Sequence, residues 1–331
     1  MRKLVKTREL SVGMHIVLEL PWHRHPFLKS AFVISSKKDV FRLLKAGIEE
    51  VAVEGLLPRD VPPEEVVPHL PEQPEEISSP PSAWKPEQLM YPELQEVLHD
   101  SALSPSERAG VVKKSSLLLM ERLLESPTVE NIHAAKKGIY DVVDLILSER
   151  EMVQHLLEII SHDYYTYTHC VNVGILSVSL AKALFGRSDR HNMHELGVAF
   201  FLHDLGKVRI DSNFINKSSK LSEEEMQEVK HHPEYGYNIL DEAQELTEEC
   251  KLVVLEHHER DDGSGYPSGL PGDEIHLYAR ICSIADVYDA LTSQRSYKQP
   301  LTPFEALKLM KEEMLGHFQP ELFEKFVMLF T

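Results

Sequence analysis

The side chains best suited to chemistry in this sequence are histidines and aspartates of its C-terminal half. The chain has 18 histidines among 331 residues, and twelve of them lie from His155 onward. Seven metal-capable side chains fall in five short stretches: His169, His203 with Asp204, His232, His257 with His258, and Asp286. Two hard divalent ions need about six to eight protein ligands, of which one carboxylate can bridge. Imidazole and carboxylate without thiolate suit iron, manganese or another octahedral ion better than a structural zinc site.

Each of these residues also has an ordinary structural interpretation when it is taken alone. A single histidine in an apolar helix, such as His169, is more often a hydrogen-bonded core residue. A doublet such as His231–His232 is usually solvated, and neighbours on a helix point about 100° apart, so both need not reach one ion. Asp286 and Asp289 could simply form a polar helix face. The metal prediction therefore rests on the order of these residues along the chain and on their occurrence together.

Composition excludes several classes of protein. The 35 Lys and Arg residues against 53 Asp and Glu residues give a net charge of −18, which is the wrong sign for coating nucleic acid or an anionic membrane. The three cysteines, an odd number without close pairs, exclude a disulfide scaffold and predict a reducing cytoplasm. No apolar stretch approaches the roughly 20 residues of a membrane span. The charged start Met1–Lys6 lacks the apolar run of a secretory signal.

Composition also divides the chain into regions. Residues 1–56 predict a small mixed α+β domain, with strands at Met14–Leu18, Ala31–Ile34 and Val51–Val53 and a short helix at Asp39–Lys45. Residues 57–92 carry ten prolines interleaved with acids, which predicts an extended linker.

Helix signals dominate beyond the linker. Residues 93–150 predict a helical connector, with a capping box at Ser104 and Glu107 and a second helix opened by Ser126–Pro127. Its two apolar helices could pack on the main domain or on a second subunit, and the latter predicts a homodimer. Residues 151–331 predict an all-α domain, with a helix buried on most sides over Tyr167–Phe185.

Four motifs carry a family resemblance that spans about His155 to Thr331. They are His-Asp-Leu-Gly-Lys at 203–207, His-His-Glu-Arg-Asp-Asp-Gly-Ser-Gly-Tyr-Pro at 257–267, Ile-Ala-Asp-Val-Tyr-Asp-Ala-Leu-Thr-Ser at 284–293, and Arg-Ser-Tyr-Lys at 295–298. The first resembles the HD superfamily of metal-dependent phosphohydrolases, and the set resembles its HD-GYP branch. The resemblance implies an all-α HD-GYP fold and hydrolysis of cyclic di-GMP. Residues 1–56 are similar to a small domain often joined to HD-GYP domains.

The resemblance also implies roles for individual residues. His169, His203, Asp204 and Asp286 would hold one divalent ion, and Asp204, His232, His257 and His258 the second, with iron or manganese as the expected metals. Such a pair activates a water and neutralises phosphate charge during an in-line displacement. Asp204 and Lys207 would act in catalysis, while Lys207, Arg295 and Lys298 would contact phosphate. A guanidinium can grip phosphate oxygens as a fork.

The Gly265–Tyr266–Pro267 loop is expected to lie beside the site, where Tyr266 contacts substrate or a partner protein. Asp163 and Asp289 match acids near the family site and are expected to orient ligands or to handle protons. Some family members carry a glutamate four residues before the first ligand histidine, which serves a third metal. Tyr165 stands at that position, and because phenol is a poor ligand at neutral pH, a two-metal site is expected.

Several alternatives stay open at this point. The product could be the linear dinucleotide pGpG, GMP or a mixture. The substrate could be another cyclic dinucleotide, such as cyclic GMP-AMP, because base contacts are not visible in these motifs. The domain could also be a catalytically weak nucleotide sensor, or an adaptor that binds proteins through the Gly-Tyr-Pro loop or the N-terminal domain.

Overall fold

The computed structural model divides into two compact units, Met1–Ser79 and Pro80–Thr331. It describes residues 2–11, 14–18, 31–34, 39–40, 43–44, 48–54, 84–89, 94, 97, 103–160, 166–186, 188–215, 217, 220–293 and 300–330. Each unit has its own hydrophobic core.

The first unit contains the strands β1 (Arg2–Lys6), β2 (His15–Val17), β3 (Ala31–Val33) and β4 (Glu50–Glu54). They form an antiparallel four-stranded sheet in the order β1-β4-β2-β3. Alternate residues of β4 face the core, where Val51 and Val53 pack with Ile16, Ile34 and Leu43. The three predicted strands are therefore present. The edge strand β1 was not predicted, because its residues are mostly charged and its Leu4 is exposed.

The predicted helix at Asp39–Lys45 lies partly outside the described residues, and the described positions 39, 40, 43 and 44 are helical. Most of the predicted linker also lies outside them. Its end differs from the prediction, because a short helix α1 (Pro86–Leu89) forms there. Leu89 is fully buried in the core of the second unit, so this segment has enough apolar contact to be ordered.

The described part of the second unit is helical, and its one β pairing is an isolated bridge between Asp262 and Pro271. The helices are α2 (Pro105–Glu125), α3 (Val129–Ser148), α4 (Arg150–Glu158), α5 (Thr166–Phe185), α6 (Met193–Phe201), α7 (Ser212–Ile215), α8 (Glu223–Val229), α9 (His232–Ala243), α10 (Glu248–Glu256), α11 (Leu277–Thr292), α12 (Pro303–Glu313) and α13 (Pro320–Val327). The all-α prediction for this region is confirmed.

Helix starts follow the capping residues of the sequence. The reciprocal capping boxes at Ser104, Ser222 and Thr302 open α2, α8 and α12. Helix α3 begins two residues later than Ser126–Pro127 predicts. Its N-cap is Thr128, whose hydroxyl accepts a hydrogen bond from the Asn131 amide.

The connector helices α2 and α3 belong to the core of the second unit. Met120 and Leu123 of α2 and Ile139 and Val143 of α3 are fully buried in one cluster with residues of α5, α6 and α11. Their apolar faces are thus covered within the chain. The homodimer stays a prediction, but the apolar faces of α2 and α3 do not support it, because they are already covered.

Helix α5 is the central helix of this core. By length and composition it could span a membrane, so the prediction that no apolar stretch approaches that length is wrong, although Asn172, Ser177 and Ser179 interrupt its apolar run. It is buried along most of its length against other helices, as the core helix of a folded domain is. Its start carries His169, the first of the candidate ligands.

Candidate metal centre

Five elements of the second unit deliver the seven candidate ligands to one place. His169 comes from the first turns of α5, and His203 and Asp204 follow the end of α6. His232 opens α9, His257 and His258 follow α10, and Asp286 lies within α11. His203 and His257 are fully buried, and the other five are buried or nearly so.

Four of the imidazoles are held through Nδ1. Three donate to the carbonyl three residues earlier: His203 to Phe200 at 2.9 Å, His232 to Val229 at 2.7 Å and His257 to Val254 at 2.8 Å. His169 instead donates from Nδ1 to Oδ2 of Asp289, at 2.7 Å. Because carbonyls and carboxylates only accept, each Nδ1 carries the proton, and a neutral ring then has a lone pair on Nε2.

These Nε2 atoms converge. Nε2 of His203 lies 3.3 Å from Nε2 of His169, and Nε2 of His232 lies 3.4 Å from Nε2 of His257. The carboxylates join them: Asp286 Oδ1 is 3.0 Å from His169 Nε2, and Asp204 Oδ1 is 3.1 Å from His232 Nε2. Ligands about 2.1 Å from an octahedral ion lie about 3 Å from one another. The separations therefore fit donors that share cations.

Asp204 is the residue common to both groups of donors. One group is His169, His203 and Asp204, the other is Asp204, His232, His257 and His258, and within each the donor atoms lie within 4.8 Å of one another. Oδ1 of Asp204 is buried and accepts no hydrogen bond from the described residues. Its contact with His232 Nε2 joins two acceptors, an arrangement that a cation relieves. The donor set thus fits metal ions.

Burial and charge set the protonation of the ligands. Burial lowers the pKa of His203 to about 3 and also lowers the pKa of His232, so both rings are neutral at pH 7. For His169, burial lowers the pKa, but hydrogen bonds to Asp286 and Asp289 outweigh it and raise the pKa to about 10. Without metal a proton therefore occupies Nε2 of His169, where an ion would have to displace it.

Asp204 is ionised although it is buried. Burial raises the pKa of this carboxyl, but the charge of Lys207 and the neighbouring imidazoles hold it well below the ordinary value of 3.8. Lys207 Nζ contacts Asp204 Oδ2 directly. The chain after α6 continues as a 3₁₀ turn, Leu205–Arg209, in which residues three apart lie in line. This geometry places an ammonium beside the shared carboxylate.

The turn that carries Asp204 packs directly on the start of α9. A Cβ atom on Gly206 would lie 1.9 Å from the carbonyl oxygen of His232 and 2.4 Å from the amide nitrogen of Gly236. Only glycine permits this approach. This close approach brings together Asp204 and His232, which are 28 residues apart in the sequence.

Asp289 lies fully buried behind His169. Besides the Nδ1 hydrogen bond of His169, its Oδ1 accepts from Nδ2 of Asn172 at 2.7 Å, and its Oδ2 accepts from the Ser293 hydroxyl at 3.2 Å. A carboxylate in this position fixes the tautomer and orientation of a ligand histidine. Asn172 was not singled out from the sequence, because one buried asparagine in an apolar helix carries no motif.

The Gly-Tyr-Pro loop lies against His257 and His258, an adjacent pair of candidate ligands that we call the ligand doublet. The Tyr266 ring stacks on the His258 ring, with centroids 4.7 Å apart and planes at 27°. Lys230 Nζ lies 5.3 Å from the centroid of the same tyrosine ring. His231, the neighbour of His232, points away and pairs with Glu234 on the exposed surface.

Four residues that the sequence singled out lie outside the described residues: Asp163, Tyr165, Arg295 and Lys298.

The three cysteines are free and buried. Burial raises the pKa of Cys170 and Cys282 well above 9.0, so neither is a thiolate ligand. The described donors are imidazoles and carboxylates, which favour a borderline or hard divalent ion.

Comparisons with known proteins agree with this geometry. The family model of the HD domain matches residues 165–322, and a domain of unknown function, DUF3391, matches residues 2–154. The protein named cyclic di-GMP phosphodiesterase PA4108, from Pseudomonas aeruginosa, is 33% identical over 99% of this chain and 76% of its own length. The chain belongs to the HD-domain family, in its HD-GYP branch.

Two further proteins resemble this HD-GYP chain. The 3'3'-cGAMP-specific phosphodiesterase 2 of Vibrio cholerae is 34% identical over 62% of this chain and 39% of its own length. The solved structure of Bd1817, a HDG"Y"P protein from Bdellovibrio bacteriovorus, has a TM-score of 0.63 at 17% identity and covers 98% of both chains. That likeness shows the fold alone. HD-domain enzymes bind divalent metals, and the histidine–aspartate cluster of this HD-GYP chain could hold them.

Proposed function

We propose that this HD-GYP chain hydrolyses the phosphodiester bonds of cyclic di-GMP with a pair of divalent ions. The observation that carries the proposal is the shared Asp204 carboxylate, which lies within donor distance of both groups of imidazoles. The name of the Pseudomonas relative, which matches 99% of this chain, supports the substrate. Iron or manganese suits the donor set best.

The roles of the side chains follow from their positions. His169, His203, Asp204 and Asp286 would hold one ion, and Asp204, His232, His257 and His258 the other. When bound, the ions would supply charge stabilisation and an activated water for displacement at phosphorus. Lys207, which already pairs with Asp204, would direct its ammonium to a non-bridging phosphate oxygen.

Other residues of the site would support this chemistry. Asp289 would keep the proton of His169 on Nδ1 and leave Nε2 as the ligand atom. Tyr266 would form one wall beside His258. Arg295 and Lys298 stay predicted phosphate contacts, Asp163 stays a predicted proton-handling group, and with Tyr165 in place of the family's glutamate the product is pGpG, GMP or both.

The test is anaerobic purification, elemental analysis and chromatography of the products after incubation with cyclic di-GMP. We expect about two metal ions per chain and turnover to linear products. Replacement of His203 and Asp204 together by alanine should abolish both metal loading and turnover. Retained turnover in that purified double variant would refute the proposal.

A matched control lies next to a ligand. His231 and His232 are adjacent, but only His232 is buried in the cluster, whereas His231 is exposed and pairs with Glu234. His232→Ala should lose metal and activity, and His231→Ala should keep both. Equal losses would point to general damage at the start of α9 rather than to a ligand role.

Cyclic GMP-AMP is the second candidate substrate, because the Vibrio relative with 34% identity is named for it. Comparison of kcat/KM for the two dinucleotides decides between them. A location in the reducing cytoplasm accords with three free, buried cysteines. Protein partners bound through the Gly-Tyr-Pro loop or the first unit, and a homodimer, stay predictions.

A further inference from the structure

The carboxylate of Glu259 organises the loop that follows the ligand doublet. Glu259 comes directly after His257 and His258 and is 2% exposed. Its Oε1 accepts hydrogen bonds from the amides of Ser268 at 2.6 Å and Gly269 at 3.1 Å. Its Oε2 accepts from the amide of Leu270 at 3.1 Å. Three consecutive backbone N–H groups of a loop without regular structure thus depend on one side chain.

The same loop is folded back on the ligand doublet. The Tyr266 amide donates to the carbonyl oxygen of His258 at 3.2 Å. A Cβ atom on Gly265 would lie 2.5 Å from the Glu259 Cα atom and 2.6 Å from the His258 carbonyl oxygen, so glycine alone fits there. These contacts place the Tyr266 ring on the imidazole of His258.

His258 differs from the other four imidazoles in how it is held. Those four donate from Nδ1 to a carbonyl or to Asp289. Within the described part of the chain the His258 ring makes no such hydrogen bond, and Asp286 Oδ2 lies 3.4 Å from its Nδ1. Its side chain is also 22% exposed, whereas that of His257 is fully buried. Ring packing against Tyr266 therefore takes the place of the missing hydrogen-bonded anchor.

We propose that Glu259 is a positioning residue of the metal centre, which acts on His258 through Tyr266. By accepting three loop amides it holds residues 268–270, which keeps Tyr266 stacked on His258 and aims that imidazole at the cluster of Asp204, His232 and His257. This inference rests on the proposed function for its catalytic consequence. The expected effect of Glu259 on metal affinity follows from the geometry of the loop.

Glu259→Gln tests the carboxylate with little change of volume. Glutamine keeps one acceptor oxygen and presents an amide NH₂ where the other oxygen accepted, so at least one loop N–H loses its partner. We expect faster hydrogen exchange of the peptide that contains residues 264–270. We also expect affinity for the more weakly held of two Mn²⁺ ions, measured by chelator competition, to fall about 10-fold, the scale of lost outer-sphere support.

A double-mutant cycle separates positioning from general loosening. If Glu259 acts through Tyr266, the loss of Mn²⁺ affinity caused by Glu259→Gln should largely disappear when Tyr266 is already alanine. Additive losses would overturn the proposal. Faster loop exchange with unchanged Mn²⁺ affinity would overturn it as well.

The controls use the same loop and the same residue. Asp262→Asn changes an exposed carboxylate that accepts one amide, that of Ser264 at 2.9 Å, which an asparagine oxygen can still accept. It should leave exchange and affinity close to wild type. Glu259→Asp keeps the charge but shortens the reach by one methylene, and it should fall between wild type and Glu259→Gln. If Glu259→Gln does not fold, Glu259→Asp and its cycle with Tyr266→Ala decide the matter by the same criterion.

The readouts keep the two proposals apart. Wild-type protein that binds Mn²⁺ but does not hydrolyse cyclic di-GMP would refute the proposed function, while the affinity cycle would still test Glu259. Wild-type turnover combined with an additive cycle would leave the proposed function intact and refute the role of Glu259.

Discussion

Asp289 and His169, 120 residues apart in the chain, are joined by a buried hydrogen bond of 2.7 Å from Nδ1 to Oδ2. Asp289→Asn should weaken metal binding by about 10- to 100-fold, because the amide cannot accept from His169, Asn172 and Ser293 together and carries no charge to raise the basicity of the ring. Chelator competition with Mn²⁺ measures the change. Ser293→Ala removes a 3.2 Å bond to the same oxygen without touching His169, and it should change the affinity little.

Metal uptake should release a proton from His169. The hydrogen bonds to Asp286 and Asp289 raise its pKa from 6.5 to about 10 against the effect of burial, so Nε2 is protonated at pH 7 in the metal-free protein. Calorimetric titration in buffers of different ionisation enthalpy should show about one proton released by this residue per chain. His169→Gln should lose that release, and equal release in both proteins would contradict the assignment.

The same pKa predicts how stability of the metal-free protein depends on pH. A raised folded-state pKa contributes stability that is complete below the unfolded value of 6.5 and is lost as pH rises through about 10. The free energy of unfolding of chelated wild type, relative to His169→Gln, should therefore decline across this window. Urea unfolding at several pH values measures it, and a difference that grows with pH would refute the prediction.

Gly206 should tolerate no side chain. A Cβ atom there would meet the backbone of α9 at 1.9 Å, so Gly206→Ala should separate Asp204 from His232 and lower metal content and stability together. Gly110 in α2 has nothing within 4 Å of its Cβ position. Gly110→Ala should instead stabilise the protein by about 0.5–1 kcal/mol through helix propensity. Denaturant unfolding and metal analysis of both variants check the contrast.

The buried carboxylate of Glu195 should contribute to stability. Glu195 lies in the first turn of α6, the helix that precedes His203 and Asp204. Oε1 of Glu195 in α6 accepts from the Tyr140 hydroxyl at 3.0 Å and lies 2.8 Å from Lys136 Nζ, both in α3. Tyr140→Phe should cost about 1–2 kcal/mol in urea unfolding, because it removes a hydrogen bond to a buried charge. The matched control is Tyr237→Phe, because the hydroxyl of Tyr237 donates to the exposed Glu248. This change should lower the free energy of unfolding by less than Tyr140→Phe does.

The helices and the types of the candidate donors could be predicted from the sequence because their determinants are local. The capping box that opens α2 depends on Ser104 and Glu107, which are three residues apart, and the histidine motifs carry the family resemblance. The strand Arg2–Lys6 was missed for the opposite reason. Its stability comes from pairing with Glu50–Glu54, almost 50 residues away, and not from its own charged side chains.

The arrangement inside the centre could not be read from spacing. Which nitrogen of each histidine is anchored depends on carbonyls such as that of Phe200 and on Asp289, which only the folded backbone brings near. Glu259 was part of the quoted motif, but no role followed for it, because its three partners are backbone amides. Side-chain identity carries no information about such contacts.

The burial of α2 and α3 in the core sets a limit on how the catalytic portion can be excised. A polypeptide shortened to the segment 165–322 that matches the HD domain would leave the surfaces that bury Met120 and Val143 facing water. Such a fragment is expected to aggregate. Soluble material for assays or crystallisation should therefore retain the chain from at least Pro86, the first residue of the short helix α1, whose Leu89 is buried in the same core.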